Sequence, residues 1–158
     1  MFGFLRKKAE VQKEENELLK PENIILGCKR MPKEEVIRQM GKILYESGYV
    51  DKEYTEAMIK REKSFPTNIG NGIALPHGVE EAKKDIRHSG IAVMVFPEGT
   101  DWGEEEVKLV IGVAGTGEEH LKILSTIAEI LSEPAAVERL VKNSREEIYR
   151  AFTGGDAA

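Results

Sequence analysis

Ser89–Phe96 reads SGIAVMVF and Val107–Ala114 reads VKLVIGVA. Each is a short, almost unbroken apolar run rich in valine and isoleucine. A strand with one wet face alternates apolar and polar residues, so an unbroken run predicts a strand covered on both faces. A sheet covered twice needs helices on two sides, and the flanking sequence supplies them. Pro97-Glu98-Gly99 closes the first run as a turn, and Gly115-Thr116-Gly117 breaks the chain after the second. Glu118–Leu131 then has the spacing of an amphipathic helix, with Leu121, Leu124, Ile127, Ala128 and Leu131 as its core stripe. Ser132 and Pro134 open another helix with Val137, Leu140 and Val141 inward. Ser144 and Glu147 form a capping box for a last one, with Ile148 and Phe152 inward.

Upstream the pattern repeats. Asn23–Leu26 is a short strand, and Pro32 with Glu34 and Glu35 opens a helix carrying Val36, Ile37, Met40, Ile43 and Leu44 at helical spacing. Gly48 stops it. Asp51 is placed to cap the next helix, which sets Tyr54, Met58 and Arg61 along one side. Phe65–Gly72, with Pro66, Asn68, Gly70, Asn71 and Gly72, predicts a loop. Ile73–Leu75 resumes a strand that runs into Pro76-His77-Gly78, and Val79–Lys84 predicts a short helix. Helices thus interleave with at least four strands, an α/β or α+β sandwich whose connection lengths imply mixed strand directions.

The 158 residues fit one domain with a substantial core. Boundaries are expected at a leader or solvated helix over 1–18, where Lys and Glu dominate, a domain over 19–153, and a tail over 154–158. A net charge of −5 lacks the basic surface that nucleic acid demands. No apolar run approaches the ~20 residues of a membrane span. Met1–Leu5 is apolar and Arg6-Lys7-Lys8 follows, the reverse of a secretory signal, so the chain is expected inside the cell. A single cysteine, Cys28, excludes an internal disulfide and reads as a small residue at a strand-to-loop junction despite Lys29 and Arg30 beside it.

Three histidines remain. His77 sits where a buried strand ends, with Pro76 stiffening the backbone before it and Gly78 leaving room after it. Strand ends of this kind commonly line sites, but a surface histidine fits the spacing equally well. His120 falls in the first turn of its helix, where backbone amides favour an anion, although a first-turn residue can equally be a plain exposed one. His88, between Arg87 and Ser89, reads as solvated. Arg61, among Lys60 and Lys63, fits a merely soluble helix end. The histidines lack zinc-site spacing, and no nucleophile-elbow or phosphate-loop motif is present.

Ile69–Gly78 (IGNGIALPHG), Met58–Glu62 (MIKRE) and Glu118–Leu124 (EEHLKIL) together resemble the mannitol/fructose class of enzyme IIA of the bacterial sugar phosphotransferase system. Gly48–Tyr54 (GYVDKEY), His77–Lys84 (HGVEEAKK), Pro97–Glu106 (PEGTDWGEEE) and Leu109–Gly115 (LVIGVAG) are most like the mannitol-specific branch. The resemblance runs from Leu19 to Phe152. It implies a mixed sheet of about five strands between helical layers, a phosphorylated histidine at His77, a second active-site histidine at His120 and an active-site arginine at Arg61. It implies phospho-HPr as donor, the cysteine of a sugar-specific enzyme IIB as acceptor, no metal or cofactor, and a cytoplasmic location. A regulatory IIA-like module, acting by phosphorylation-dependent binding, is the alternative from another class.

Overall fold

A computed structural model describes residues 17–154. Among them, five strands form one mixed sheet in the order β1-β4-β5-β3-β2. They are β1 (Ile24–Ile25), β2 (Asn68–Gly70), β3 (Ile73–Ala74), β4 (Gly90–Trp102) and β5 (Glu105–Ala114). The long central pair β4 and β5 is antiparallel, with Ile91 opposite Val113 and Val93 opposite Ile111. β1 joins β4 and β3 joins β5 in parallel, while β2 closes the edge antiparallel to β3. The helices are α1 (Lys33–Glu46), α2 (Tyr54–Ser64), α3 (Gly117–Ile130), α4 (Pro134–Lys142) and α5 (Arg145–Thr153).

The unbroken apolar runs are explained by two cores, one on each face. Ala92, Met94, Phe96, Val110 and Ala114 pack against Val36, Met40 and Leu44 of α1 and against Tyr54 and Met58 of α2. Their neighbours Ile91, Val93, Val95, Leu109, Ile111 and Val113 point the other way, toward Ile123, Ile127, Val137, Leu140, Ile148 and Phe152 of α3–α5. Successive strand side chains alternate faces, so a sheet with two dry faces has no position left for a polar residue.

Where α1 crosses β5 the contact is tight. A Cβ added at Gly112 would lie 2.2 Å from Met40 Cγ. Gly112→Ala is expected to lower stability by about 1–3 kcal/mol through overpacking. Urea unfolding measures this, and a midpoint equal to wild type would mean that Met40 has room to move.

The N-cap half of the expected capping box forms, with the Glu147 N–H donating to Ser144 Oγ at 3.2 Å. The short helix after His77 is a 3₁₀ segment, Glu80–Asp85. Four expectations need correction. Phe65–Gly72 is not all loop: it holds β2 and a tight turn through Asn71 (φ 56°) and Gly72 (φ 76°). An edge strand needs only one hydrogen-bonded neighbour and no buried face, so it carries no apolar pattern. Pro97-Glu98-Gly99 does not end its strand either. These residues sit where the register shifts between Val95 and Thr100, and β4 resumes to Trp102. Pro97 lacks an N–H for the ladder, and such irregularities are where sheets accommodate proline.

The core stripe of α3 is also rotated. Ile123, Ile127 and the following Leu131 are buried, Leu124 and Ile130 partly so, whereas Ala128 is exposed and Leu121 is 67% exposed. Residues two apart on a helix lie about 200° apart, so burying Ile123 turns Leu121 outward. Finally, Asp51 does not cap α2 with its side chain. Its carbonyl accepts from the Tyr54 N–H at 3.1 Å, and its carboxylate pairs with Arg87.

Of the leader expected over 1–18, residues 1–16 lie outside the described residues, as do residues 155–158 of the tail expected over 154–158. At the leader's inner end, Leu19 is fully buried in the second core and Tyr49 OH donates to the Glu17 carbonyl at 2.6 Å.

Candidate functional site

β3 leads out of the sheet and keeps its course for three residues. The Val113 N–H donates to the Pro76 carbonyl at 2.9 Å, and His77 forms a lone parallel bridge with Val113. The histidine is therefore held by the backbone of β5 at the rim of the sheet. Its Nδ1 lies 2.8 Å from the Leu75 carbonyl oxygen. A carbonyl only accepts, so Nδ1 carries the proton and the Nε2 lone pair is left for chemistry.

His120 arrives from the opposite side. β5 ends at Ala114, and α3 begins with His120 in its first turn, its N–H donating to the Thr116 carbonyl at 3.3 Å. The two imidazole rings stand 5.3 Å apart, tilted by 58°. Arg61 comes from the last turn of α2, where its Nη1 donates to the Phe65 carbonyl at 2.7 Å. All three line one cavity of about 560 Å³, together with Tyr54, Lys83 and Leu121. His77, His120 and Arg61 thus converge on one cavity, a placement that spacing alone left open. His88 is exposed and does not line this cavity. Cys28 is half-buried and burial pushes its thiol pKa up, opposed by the Val95 backbone bond, so it suits the bland role expected of it.

Tyr54 was legible as a residue on the Arg61 side of its helix but not as part of a site. It is buried, its hydroxyl donates to the Val113 carbonyl at 3.0 Å, and it accepts from the Gly78 N–H at 2.9 Å. One phenol thus ties α2, the end of β5 and the turn just after His77 together. Burial pushes its pKa up to about 12 against the opposing Gly78 bond, so it stays a donor. The ring packs so closely that a Cβ on Gly78 would lie 2.6 Å from it, which explains the glycine after the histidine. The seven-residue interval from Tyr54 to Arg61, two helical turns on one face, was the available signal. Lys83, paired with Glu80 at 2.5 Å, and the exposed Leu121 carried no such signal.

Burial, chiefly, holds the His77 imidazole below its ordinary value of 6.5. The Leu75 hydrogen bond opposes this, the Arg61 cation adds to it, and Glu62 opposes it. His120 is lowered too, first by burial, then by His77 and Lys83, with Glu80 opposing. Both rings are therefore neutral at pH 7. For His77 the folded value lies below the unfolded one. As pH falls through 6.5 the unfolded chain takes up a proton that the folded chain resists. Stability is then lost between 6.5 and the lower folded value. NMR titration of the His77 ring is expected to show a midpoint below 6.5, and a midpoint above it would contradict the burial account.

Comparison with known proteins identifies the family and the fold. The family described as "Phosphoenolpyruvate-dependent sugar phosphotransferase system, EIIA 2" matches residues 17–154. The mannitol-specific phosphotransferase enzyme IIA component of Geobacillus stearothermophilus is 47% identical over 131 residues, covering 82% of this chain and 90% of the relative. The crystal structure of IIA mannitol from Escherichia coli superposes with a TM-score of 0.78 at 39% identity, covering 85% of this chain and 98% of that one. The same bacterium's enzyme IIA, solved in complex with phosphorylated enzyme IIB of the mannitol system, gives a TM-score of 0.80 at 39% identity, covering 87% and 99%. The mixed five-stranded α/β fold expected from the sequence is therefore that of known IIA domains, and among the described residues no helix is long and apolar enough to cross a membrane. With the match spanning all the described residues, the protein belongs to the EIIA 2 family of the phosphoenolpyruvate-dependent sugar phosphotransferase system and is a phosphotransferase component of it.

Proposed function

We propose that this chain is a cytoplasmic, mannitol-type phosphocarrier in which His77 Nε2 takes a phosphoryl group from phospho-HPr and delivers it to the cysteine thiolate of an enzyme IIB. The observation that carries the reading is the 2.8 Å contact of His77 Nδ1 with the Leu75 carbonyl. It selects the tautomer whose Nε2 is a nucleophile without help from a general base. In the first step the Nε2 lone pair forms a bond to phosphorus as the bond to the donor histidine breaks. In the second, the thiolate forms an S–P bond and the His77 N–P bond breaks, returning the neutral ring.

The transition state of each step is loose, with charge spread over three equatorial oxygens. Arg61 and His120, lining the same cavity, are the donors placed to meet those oxygens, each worth about 1.5–3 kcal/mol as a hydrogen bond to a charged group. The phosphoramidate is already activated, so no metal is required. The likeness to a IIA solved with phosphorylated IIB, and to relatives named for mannitol, supports the acceptor and the sugar.

The test is reconstitution. The protein is incubated with enzyme I, HPr and phosphoenolpyruvate, and candidate IIB domains are then added. Acid-labile, base-stable label that appears on this chain and moves to a mannitol-type IIB is the expected result. Label that no IIB accepts would favour the regulatory module instead, and absence of label would overturn the phosphocarrier reading.

A further inference from the structure

Glu62 follows Arg61 in α2, yet its carboxylate is 4% exposed and does not line the histidine cavity. Four donors from three other parts of the fold converge on it. Oε2 accepts from the Thr67 N–H at 2.9 Å, from Trp102 Nε1 at 3.1 Å and from Lys33 Nζ at 3.0 Å, and Oε1 accepts from the Thr67 hydroxyl at 2.5 Å. Lys33 also lies over the Trp102 ring, 5.4 Å from its centroid. Apolar residues of similar volume commonly replace a buried ion pair at no loss of stability, so stability alone is a weak reason for this arrangement.

What the cluster holds gives a better reason. Both polar groups that Thr67 can donate are pinned to Glu62. The Thr67 carbonyl accepts from the Leu75 N–H at 3.1 Å, and it is the Leu75 carbonyl that orients the His77 ring. Two residues before Thr67, the Phe65 carbonyl accepts from Arg61 Nη1 at 2.7 Å. The short segment from Phe65 to Thr67 therefore sets the direction of both the histidine and the arginine, and Glu62 is its anchor.

We infer that Glu62 is a positioning residue for phosphoryl transfer, holding Phe65–Thr67 so that Leu75 fixes the His77 tautomer and Phe65 fixes Arg61. This rests on the phosphocarrier reading. Glu62 touches no reacting atom. It acts through two backbone carbonyls: two of its four hydrogen bonds pin Thr67, while those from Lys33 and Trp102 hold the carboxylate itself in place.

The experiment compares Glu62→Met, which keeps length but accepts no hydrogen bond, with Glu62→Gln, which retains one acceptor oxygen for the donors now shared by Oε2. Two quantities are read: the single-turnover rate from phospho-HPr to this protein, and the nitrogen NMR signature of the His77 tautomer. Glu62→Met is expected to slow transfer about 10- to 100-fold, the scale for losing support of an aligned group, and to mix the two tautomers. Glu62→Gln should recover most of the rate and the single tautomer. In an Arg61→Gln background the Glu62→Met loss should shrink, because part of it runs through Arg61. Should Glu62→Met fail to fold, Thr67→Val, which removes only the hydroxyl donor, should show a smaller loss of the same kind. A folded Glu62→Met, or in its place a folded Thr67→Val, with wild-type rate and an unchanged tautomer would overturn the inference, as would losses that multiply independently with Arg61→Gln. If the wild-type protein itself takes no label, the phosphocarrier reading fails, while the tautomer measurement still decides whether Glu62 orients His77.

Discussion

His77→Ala is expected to abolish labelling by phospho-HPr, while His88→Ala leaves it intact. On the proposed reading the whole reaction passes through one lone pair, so its loss cannot be made up by neighbours. His120 stands only 5.3 Å away, which makes it the one ring that could substitute. It opens a helix, among amide groups set to face an anion, and is placed to donate rather than attack. The measurement is acid-labile, base-stable label on each variant after incubation with enzyme I, HPr and phosphoenolpyruvate. Label persisting on His77→Ala would sink the assignment, and label lost instead from His120→Ala would exchange the two roles.

Arg61→Gln is expected to slow transfer about 10²-fold, the scale for removing one preorganised donor from a developing charge. The substitution leaves packing nearly untouched, because the guanidinium is at the cavity wall and donates to the Phe65 carbonyl, which a glutamine amide could still approach. The charge is what is lost. Circular dichroism and urea unfolding should therefore match wild type while the single-turnover rate falls. A near-wild-type rate in the folded variant would return Arg61 to the status of a solubilising charge. The Arg61 cation also helps keep His77 neutral, so its removal should move the His77 midpoint upward, a second readout independent of transfer.

Much of the fold was legible because burial on two faces leaves a compositional mark. The SGIAVMVF and VKLVIGVA runs could be nothing but covered strands once their length was too short for a buried helix, and they are the central antiparallel pair β4 and β5. Ser144 with Glu147 was legible for a local reason, since the capping bond spans three residues and needs no tertiary partner. The misreadings share the opposite cause. Asn68–Gly70 pairs with β3 through backbone groups, which nearly every residue type provides, so composition does not betray it. Leu121 and Ile123 both fit a helical stripe, and only the position of β4 and β5 decides which one faces inward.

Sequence by itself determined that His77 ends a buried strand before a glycine, that His120 begins a helix, and that the chain interleaves helices with a two-faced sheet. Each of these depends on neighbours within a few residues. Bringing His77, His120 and Arg61 to one cavity was decided only by the tertiary structure. It places the parallel bridge of His77 to Val113 beside the start of α3 and brings Arg61, near the end of α2, to the same cavity. The roles of Tyr54 and Glu62 belong to the same category. Their hydrogen bonds cross 59, 40 and 24 residues of chain, joining groups that are ordinary in isolation. A tyrosine and a glutamate acquire direction only when folding removes water from around them and leaves their buried polar groups with each other as partners.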